Sequence, residues 1–234
     1  EKYKTEISFY GKFDWETNGL LQQVDINQEG AEQLSIQNGN QARNMAGSIE
    51  FAKRMKASKN HSFIFKVKSD ISFSKSKILV NKILGDQSRN QISFEQSLNW
   101  RFKRTIDITG LFSWSNTQSQ FTTGSVSDIK WLQQNAILKS SIALTPKYTL
   151  LLDYVYQRNT QLGNDFQSQA NILNGSISRK LFKRNQGEVK LSVFDLFNQN
   201  INIQRRIERN IIEDIQSNVL RRYFLLSFIY QLKK

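Results

Sequence analysis

The chain has 234 residues, a formal net charge of +13 at pH 7, one proline and no cysteine. The lack of cysteine excludes a disulfide framework and a cysteine-ligated zinc site. Mean hydropathy is −0.52, and no apolar run approaches the roughly 18 residues that a transmembrane helix needs.

A strongly positive charge is typical of proteins that bind nucleic acid. However, the basic residues lie in short clusters near the ends of predicted strands rather than along one face. The clusters are Lys53-Arg54 with Lys56, Arg101 with Lys103-Arg104, Lys180 with Lys183-Arg184, and Lys233-Lys234. This placement fits a membrane boundary or solvated turns, so we expect no nucleic-acid partner. A basic all-β protein that binds nucleic acid outside a membrane stays open as an alternative.

The first third of the chain contains strands and polar stretches. Apolar and polar residues alternate over 3–14, and more weakly over 20–27, which predicts two β-strands. Residues 28–45 are rich in Gln, Asn, Glu and Gly and predict a long polar loop. Another strand begins at Gly47. The pattern at 62–76 is one of the clearest, with Phe63, Phe65, Val67, Ile71 and Phe73 in phase.

Alternation continues to the end of the chain. Residues 78–84 are apolar and fit either a strand extension or a short loop helix. Strands are then predicted over 92–102, 106–114, 132–144, 148–156, 173–181 and 189–193, and polar loops over 115–128 and 199–217.

The final stretch, 218–232, has the strongest pattern. One face carries Leu220, Phe224, Leu226, Phe228, Tyr230 and Leu232. Strands of soluble proteins usually have about five or six residues, whereas a tilted membrane strand has about 9–11 in the hydrocarbon. The stretch is typical of a transmembrane β-strand.

About eleven strands result, joined alternately by short and long connections, and aromatic residues gather near their ends. We therefore predict an all-β fold, an antiparallel transmembrane β-barrel, with residues 1–234 as one barrel domain. Bacterial single-chain barrels have even strand numbers. An odd number near eleven means either that the count is off by one or that further strands lie upstream; we favour the second, as in half of a 22-stranded barrel.

The C-terminal motifs resemble a known family. Gly187–Asn200 contains Asp195-Leu196-Phe197-Asn198, a Leu220-Arg221-Arg222-Tyr223-Phe224 segment follows, and the last strand ends Tyr230-Gln231-Leu232. These runs resemble the end of Bacteroidota outer-membrane β-barrel proteins of the TonB-dependent-receptor-like group. Two features depart from it: Leu232 replaces the usual terminal aromatic residue, and two lysines follow. The family residues are Asp195, Leu196, Phe197, Asn198, Arg221, Tyr223, Phe224, Tyr230 and Leu232.

The resemblance implies a location in the outer membrane of a Gram-negative bacterium, with outer-membrane lipid and lipopolysaccharide as surroundings. It further implies the C-terminal half of a receptor or transporter for nutrient uptake, although no plug domain is evident in the chain. The alternative is a barrel that does not transport and serves as a scaffold or assembly subunit. In that case the polar loops would contact other outer-membrane or periplasmic proteins.

No set of residues indicates catalysis, a metal or a cofactor, and we expect that the chain is not an enzyme. His61 is the only histidine and begins a predicted strand. Asp107 and Asp153 lie between apolar residues on strands, so in a barrel they should point into the lumen. The Asp195–Asn198 motif fits a structural strand end, with ligand contact at the outer mouth as the less favoured alternative.

Overall fold

The structure, a computed structural model, describes residues 3–26, 32–56, 58–123, 128–160, 169–200, 202–208, 211–217 and 220–232. Twelve β-strands account for most of these residues. They are β1 (Tyr3–Ile26), β2 (Glu32–Met55), β3 (His61–Val80), β4 (Ile83–Phe102), β5 (Ile106–Phe121), β6 (Ile129–Ala143), β7 (Tyr148–Asn159), β8 (Gln169–Leu181), β9 (Gly187–Phe194), β10 (Asn202–Glu208), β11 (Ile211–Ser217) and β12 (Tyr223–Tyr230). Among the described residues, no helix has the length and apolar character required to span a membrane.

Ten of the strands form one sheet in the order β1-β2-β3-β4-β5-β6-β7-β8-β9-β12, and β10 and β11 form a separate hairpin. Sequential neighbours pair in antiparallel fashion, as do β9 and β12. The prediction of an antiparallel all-β fold is therefore confirmed. We call the end at which β1, β3, β5, β7 and β9 begin the turn end, and the end at which they finish the loop end.

The sheet has one apolar and one polar face because successive side chains of a strand point to opposite sides. The cross-strand register places Leu226, Leu191, Ile177, Leu150 and Ile142 in one row of the apolar face. The next row, on the polar face, contains Leu225, Ser192, Ser176, Leu151 and Ser141. The period-two pattern thus determines which side chains share a surface.

Protein covers little of the apolar face. Phe9 is 76% exposed and Leu226 is 72% exposed, although both are large and apolar. Among the described residues, the buried hydrophobic side chains are Leu21, Ala42, Ile78, Val80 and Ala170. Ile78 and Val80 form a small cluster with Phe121 near the loop end. A single-layer sheet that leaves so much apolar surface uncovered requires an apolar surrounding.

The strands differ greatly in length. β1 and β2 have 24 residues each, whereas β9 and β12 have 8. At about 3.4 Å per residue, the first hairpin is roughly 80 Å long, far more than a hydrocarbon core of about 30 Å requires. The N-terminal strands therefore rise beyond any bilayer at the loop end.

The predicted polar loop at 28–45 is wrong over 32–45, which belong to β2, and its first part, 28–31, lies outside the described residues. Residues 32–45 pair with β1 through backbone hydrogen bonds, as Gln37 does with Leu21. A strand that projects beyond the bilayer has water on both faces, so its residues need no apolar alternation. The two strands predicted at 3–14 and 20–27 are one strand with a register shift between Glu16 and Leu20.

The apolar patch at 78–84 is the tip of a hairpin. Asn81 and Lys82 have φ values of 50° and 63°, as in a type I′ turn, which suits two-residue hairpins. Val80 then pairs with Ile83, so the strands continue instead of forming a loop or helix.

Two other predicted loops are partly strands, because β5 extends to Phe121 and 199–217 contains β10 and β11. Twelve strands lie among the described residues, close to the predicted number of about eleven. The main sheet has ten of them, an even number, so the strand count does not by itself argue for further strands upstream.

Gly187 should resist substitution because an aromatic ring covers it. A Cβ at this position would lie 2.5 and 2.8 Å from ring carbons of Phe182, and that ring makes an edge contact with Tyr230. We expect Gly187→Ala to destabilise the folded state by about 1–2 kcal/mol through overpacking, measured by denaturant unfolding in detergent. Gly11→Ala is the control, because nothing lies within 4 Å of a Cβ there. Equal stability of the two variants would contradict the role of the ring.

Candidate functional site

The polar face of β5–β9 encloses a concavity of about 470 Å³. The residues that line it include Asp107, Lys139, Asp153, Asn174, Ser176, Lys190 and Ser192. Asp107 and Asp153 thus lie on the polar face, as the alternation predicted. The surface combines hydroxyl, amide and charged groups with Leu151 and Phe194. It suits a polar ligand or a polar protein segment.

Charged side chains of the polar face are paired between or along strands. The Arg101 guanidinium binds Asp107 at 2.8 and 3.0 Å, and the Asn99 amide donates to the other Asp107 oxygen at 2.8 Å. Lys139 lies 3.9 Å from Asp153 across β6 and β7. Opposite charges therefore lie close together on this part of the polar face.

The Asp195–Asn198 motif lies at the loop end, directly after β9. Asp195 is 2% exposed and has a φ of 47°. Its carboxylate accepts hydrogen bonds from the backbone N–H groups of Gln199 at 2.9 Å and Asn200 at 3.0 Å. Its own N–H donates to the side-chain oxygen of Asn174 at 2.9 Å. The motif therefore folds the chain back as it leaves the sheet and attaches it to β8.

Further bonds connect this turn to β8 and to the segment before β12. The Asn171 N–H donates to Gln199 Oε1 at 2.9 Å, and the Arg222 N–H donates to Asn198 Oδ1 at 3.3 Å. The Arg222 guanidinium also reaches the Leu196 carbonyl at 3.4 Å. The contacts are with the chain itself, which supports a structural role for the motif.

The other family residues lie in or next to β12, which is shorter than the predicted strand at 218–232: among the described residues of that stretch, only Tyr223–Tyr230 form a strand. Tyr223 stacks on Phe194 with centroids 4.5 Å apart, close to the Asp195 turn. Phe224 is 66% exposed on the apolar face, and Leu232 is 91% exposed beyond the strand. Tyr230 lies at the turn end, away from the motif. Arg221 is exposed, and it is the adjacent Arg222 that makes the described contacts.

Two partners of the turn, Asn171 and Asn174, were not predicted from the sequence. They are separated from their partners by 21 to 28 residues, and ordinary Asn and Gln residues have no local signature. The only available signal was the position of Asn174 on the polar side of a predicted strand.

His61 begins β3 at the turn end, as expected from its position. Trp100 Nε1 donates to His61 Nδ1 at 3.4 Å, and the His61 and Phe102 rings are 4.6 Å apart. The aromatic group that surrounds it resembles an interfacial girdle. Across the described part of the chain, no three His, Cys, Asp or Glu side chains gather in a way that would hold a metal ion.

A second charged group lies at the loop end of β3 and β4. Asp86 receives ion-pair contacts from Lys77 at 2.7 Å and from Lys75 at 3.1 Å. Hydrogen bonds from Lys77 and then Lys75 hold the pKa of the Asp86 carboxyl below its usual value. The group lies beyond the apolar rows of the sheet and so outside a bilayer that these rows would occupy.

Comparisons with known proteins give one match. Residues 86–230 match the family described as the outer membrane protein beta-barrel family. This region extends from Asp86 in β4 to Tyr230, the last residue of β12, and includes the concavity and the Asp195 turn. No curated protein and no solved structure gives a significant match.

Proposed function

Because this chain belongs to the outer membrane protein beta-barrel family, we propose that it forms the C-terminal part of the barrel of a TonB-dependent-type receptor for nutrient uptake. Family membership makes the chain an integral β-barrel protein of the outer membrane. The apolar face therefore contacts lipid, and the polar face lines the lumen. The turn end, with its short connections, is then periplasmic, and the loop end is extracellular.

The mismatch between the two edge strands carries this proposal. β1 has 24 residues and β12 has 8, so β12 can cover at most a third of the outer edge of β1. Apart from Gln23 and Val24, which pair with β3, that edge meets no strand among the described residues. Because an unpaired backbone group in lipid costs several kcal/mol, the part of this edge that lies in lipid needs a partner strand, and in the proposed barrel further strands provide it.

Upstream strands of the same polypeptide are the simplest source, and a 22-stranded barrel with a plug would provide them. The wall of the concavity is polar, and its lining includes two aspartates and two lysines. Such a wall would suit contact with a plug and the passage of a polar solute. Intact mass and peptide mapping of the native protein test this. We expect a mass well above 27.3 kDa, with a plug and a TonB-contact segment upstream. A larger barrel without these parts would instead favour the scaffold or assembly subunit.

Engineered cysteines test whether β1 and β12 meet, since the chain has no cysteine of its own. Ser227→Cys is combined in turn with Ser8→Cys, Tyr10→Cys and Lys12→Cys, all on the lumen face. We expect no cross-link on mild oxidation, because other strands separate these edges and a disulfide needs Cα atoms within about 7 Å. Ser227→Cys with Lys190→Cys is the positive control, because these residues are paired. A cross-link from β1 to β12 would mean a closed ten-stranded barrel and would contradict the receptor proposal.

A further inference from the structure

The chain contains three Asn-Gly pairs, and the structure places them in different surroundings. They are Asn18-Gly19 in β1, Asn38-Gly39 in β2 and Asn174-Gly175 in β8. In such a pair the backbone nitrogen of glycine can attack the side-chain amide carbon of asparagine, because glycine has no side chain that hinders the approach. The attack requires a backbone that can leave the extended conformation. The surroundings of each pair therefore decide whether its asparagine reacts.

The ladder protects the pair in β8. Gly175 is paired with Leu152 of β7 and with Val193 of β9, so both edges of its strand are occupied. The side-chain oxygen of Asn174 accepts a hydrogen bond from the Asp195 N–H at 2.9 Å. Reaction at Asn174 would require the sheet to open locally, and such opening is rare where a strand is paired on both sides.

The pair in β1 is partly covered. Gly19 is buried and is paired with Asn40 of β2. The Glu16 side chain occupies the space in which a Cβ of Gly19 would lie. Asn18 itself is exposed and has no partner residue in β2. The nitrogen that would react in this pair is thus less accessible than the asparagine that it would attack.

The pair in β2 is the most open of the three. Asn38 and Gly39 are both exposed, and nothing lies within 4 Å of a Cβ built on Gly39. In the register of β1 and β2, the partner of Asn38 is Leu20 and the partner of Asn40 is Gly19. Gly39 is therefore an extra residue without a partner in β1, as in a β-bulge. Its φ of 127° is a value that residues with a side chain rarely adopt.

β2 has only one neighbouring strand at the height of this pair. β3 pairs with β2 from Arg43 to Met55 and with no earlier residue of β2. A change of backbone conformation at Asn38 therefore breaks few of the described ladder contacts, and local opening is correspondingly easy. Because this part of the hairpin rises beyond the bilayer, water reaches it.

We propose that Asn38 is a site of spontaneous deamidation. Hydroxide takes the proton of the Gly39 N–H, the nitrogen attacks Cγ of Asn38, and the side-chain nitrogen leaves as ammonia. Water then opens the cyclic imide at one of its two carbonyl carbons, which gives aspartate or isoaspartate. The net reaction consumes one water molecule and releases one ammonia molecule, and it needs no oxidant, reductant or enzyme.

The product changes the projecting hairpin in two ways. It adds a negative charge to a stretch, 33–49, that contains no acidic residue. Isoaspartate also adds a carbon atom to the backbone, so that residues on the two sides of position 38 no longer share one register with β1. The proposal is independent of whether the barrel transports a nutrient.

Peptide mapping by mass spectrometry tests the proposal on the full-length protein, extracted in detergent and incubated at mildly alkaline pH. In the folded protein we expect Asn38 to deamidate at least about tenfold faster than Asn174, because the ladder must open before Asn174 reacts. In denaturant the two rates should become similar, since glycine follows both residues. Equal rates in the folded protein would overturn the proposal, as would an Asn38 that stays intact while Asn18 reacts.

Matched variants locate the modified residue. Asn38→Gln should abolish the fast mass change, because the longer side chain of glutamine forms a cyclic imide much more slowly. Asn18→Gln is the control and should leave the fast change as it is. Heat-modified mobility on SDS gels shows that both variants are folded. A fast mass change that persists in folded Asn38→Gln would assign the reaction to another residue and contradict the proposal.

Discussion

Leu226→Lys should destabilise the folded barrel by about 2–4 kcal/mol, because it places a charge on the lipid face near the middle of the bilayer. The same substitution at the preceding residue, Leu225→Lys, should cost much less, because this side chain faces the lumen. Equilibrium unfolding by denaturant in phospholipid vesicles measures both, with tryptophan fluorescence as the signal.

The comparison of Leu226→Lys with Leu225→Lys is a strong test, because a sheet with water on both faces would give the opposite order of costs in stability. Leu226 is 72% exposed and Leu225 is 48% exposed, so in water the lysine at 226 would be the more easily tolerated. A larger cost at Leu225 would contradict the assignment of the apolar face to lipid. The two residues are adjacent on β12, so strand propensity and distance from the strand ends are closely matched.

Asp195→Ala should destabilise the protein by about 3 kcal/mol, since it removes a buried carboxylate that accepts two part-buried backbone hydrogen bonds. It also places alanine at a φ of 47°, where a residue with a plain Cβ is strained. Asp195→Asn should cost less, because asparagine tolerates this conformation and keeps one oxygen acceptor. The effect is measured by denaturant unfolding. It is also measured by the temperature at which the folded barrel loses its characteristic mobility on SDS gels.

Asp128→Ala is the matched control for the turn. The Asp128 carboxylate accepts one backbone hydrogen bond, from Phe121 at 3.0 Å, in an exposed position. Its loss should cost no more than about 1 kcal/mol. If Asp195→Ala is no worse than this control, the motif does not anchor β9, and contact with a ligand at the outer mouth becomes the better explanation of its side chains.

The sequence by itself determined the fold class and the two faces of the sheet. Alternation is a local property, since neighbouring side chains of a strand point in opposite directions. The assignment of Leu226 to the apolar face and of Asp153 to the polar face therefore required no knowledge of the strand partners. The family motif at Asp195–Asn198 was also found from the sequence, because its residues are contiguous.

Only the tertiary structure showed which remote residues meet. Residues 32–45 form a strand because β1 offers them a hydrogen-bond ladder, and their own Gln- and Asn-rich composition predicts a loop. Asn174 reaches Asp195 across the register of β8 and β9, and Arg43 meets Lys75 across that of β2 and β3. Register depends on the whole set of backbone pairings and turn lengths. For that reason the contacts by which the Asp195 turn is attached to β8 were visible only in the folded sheet.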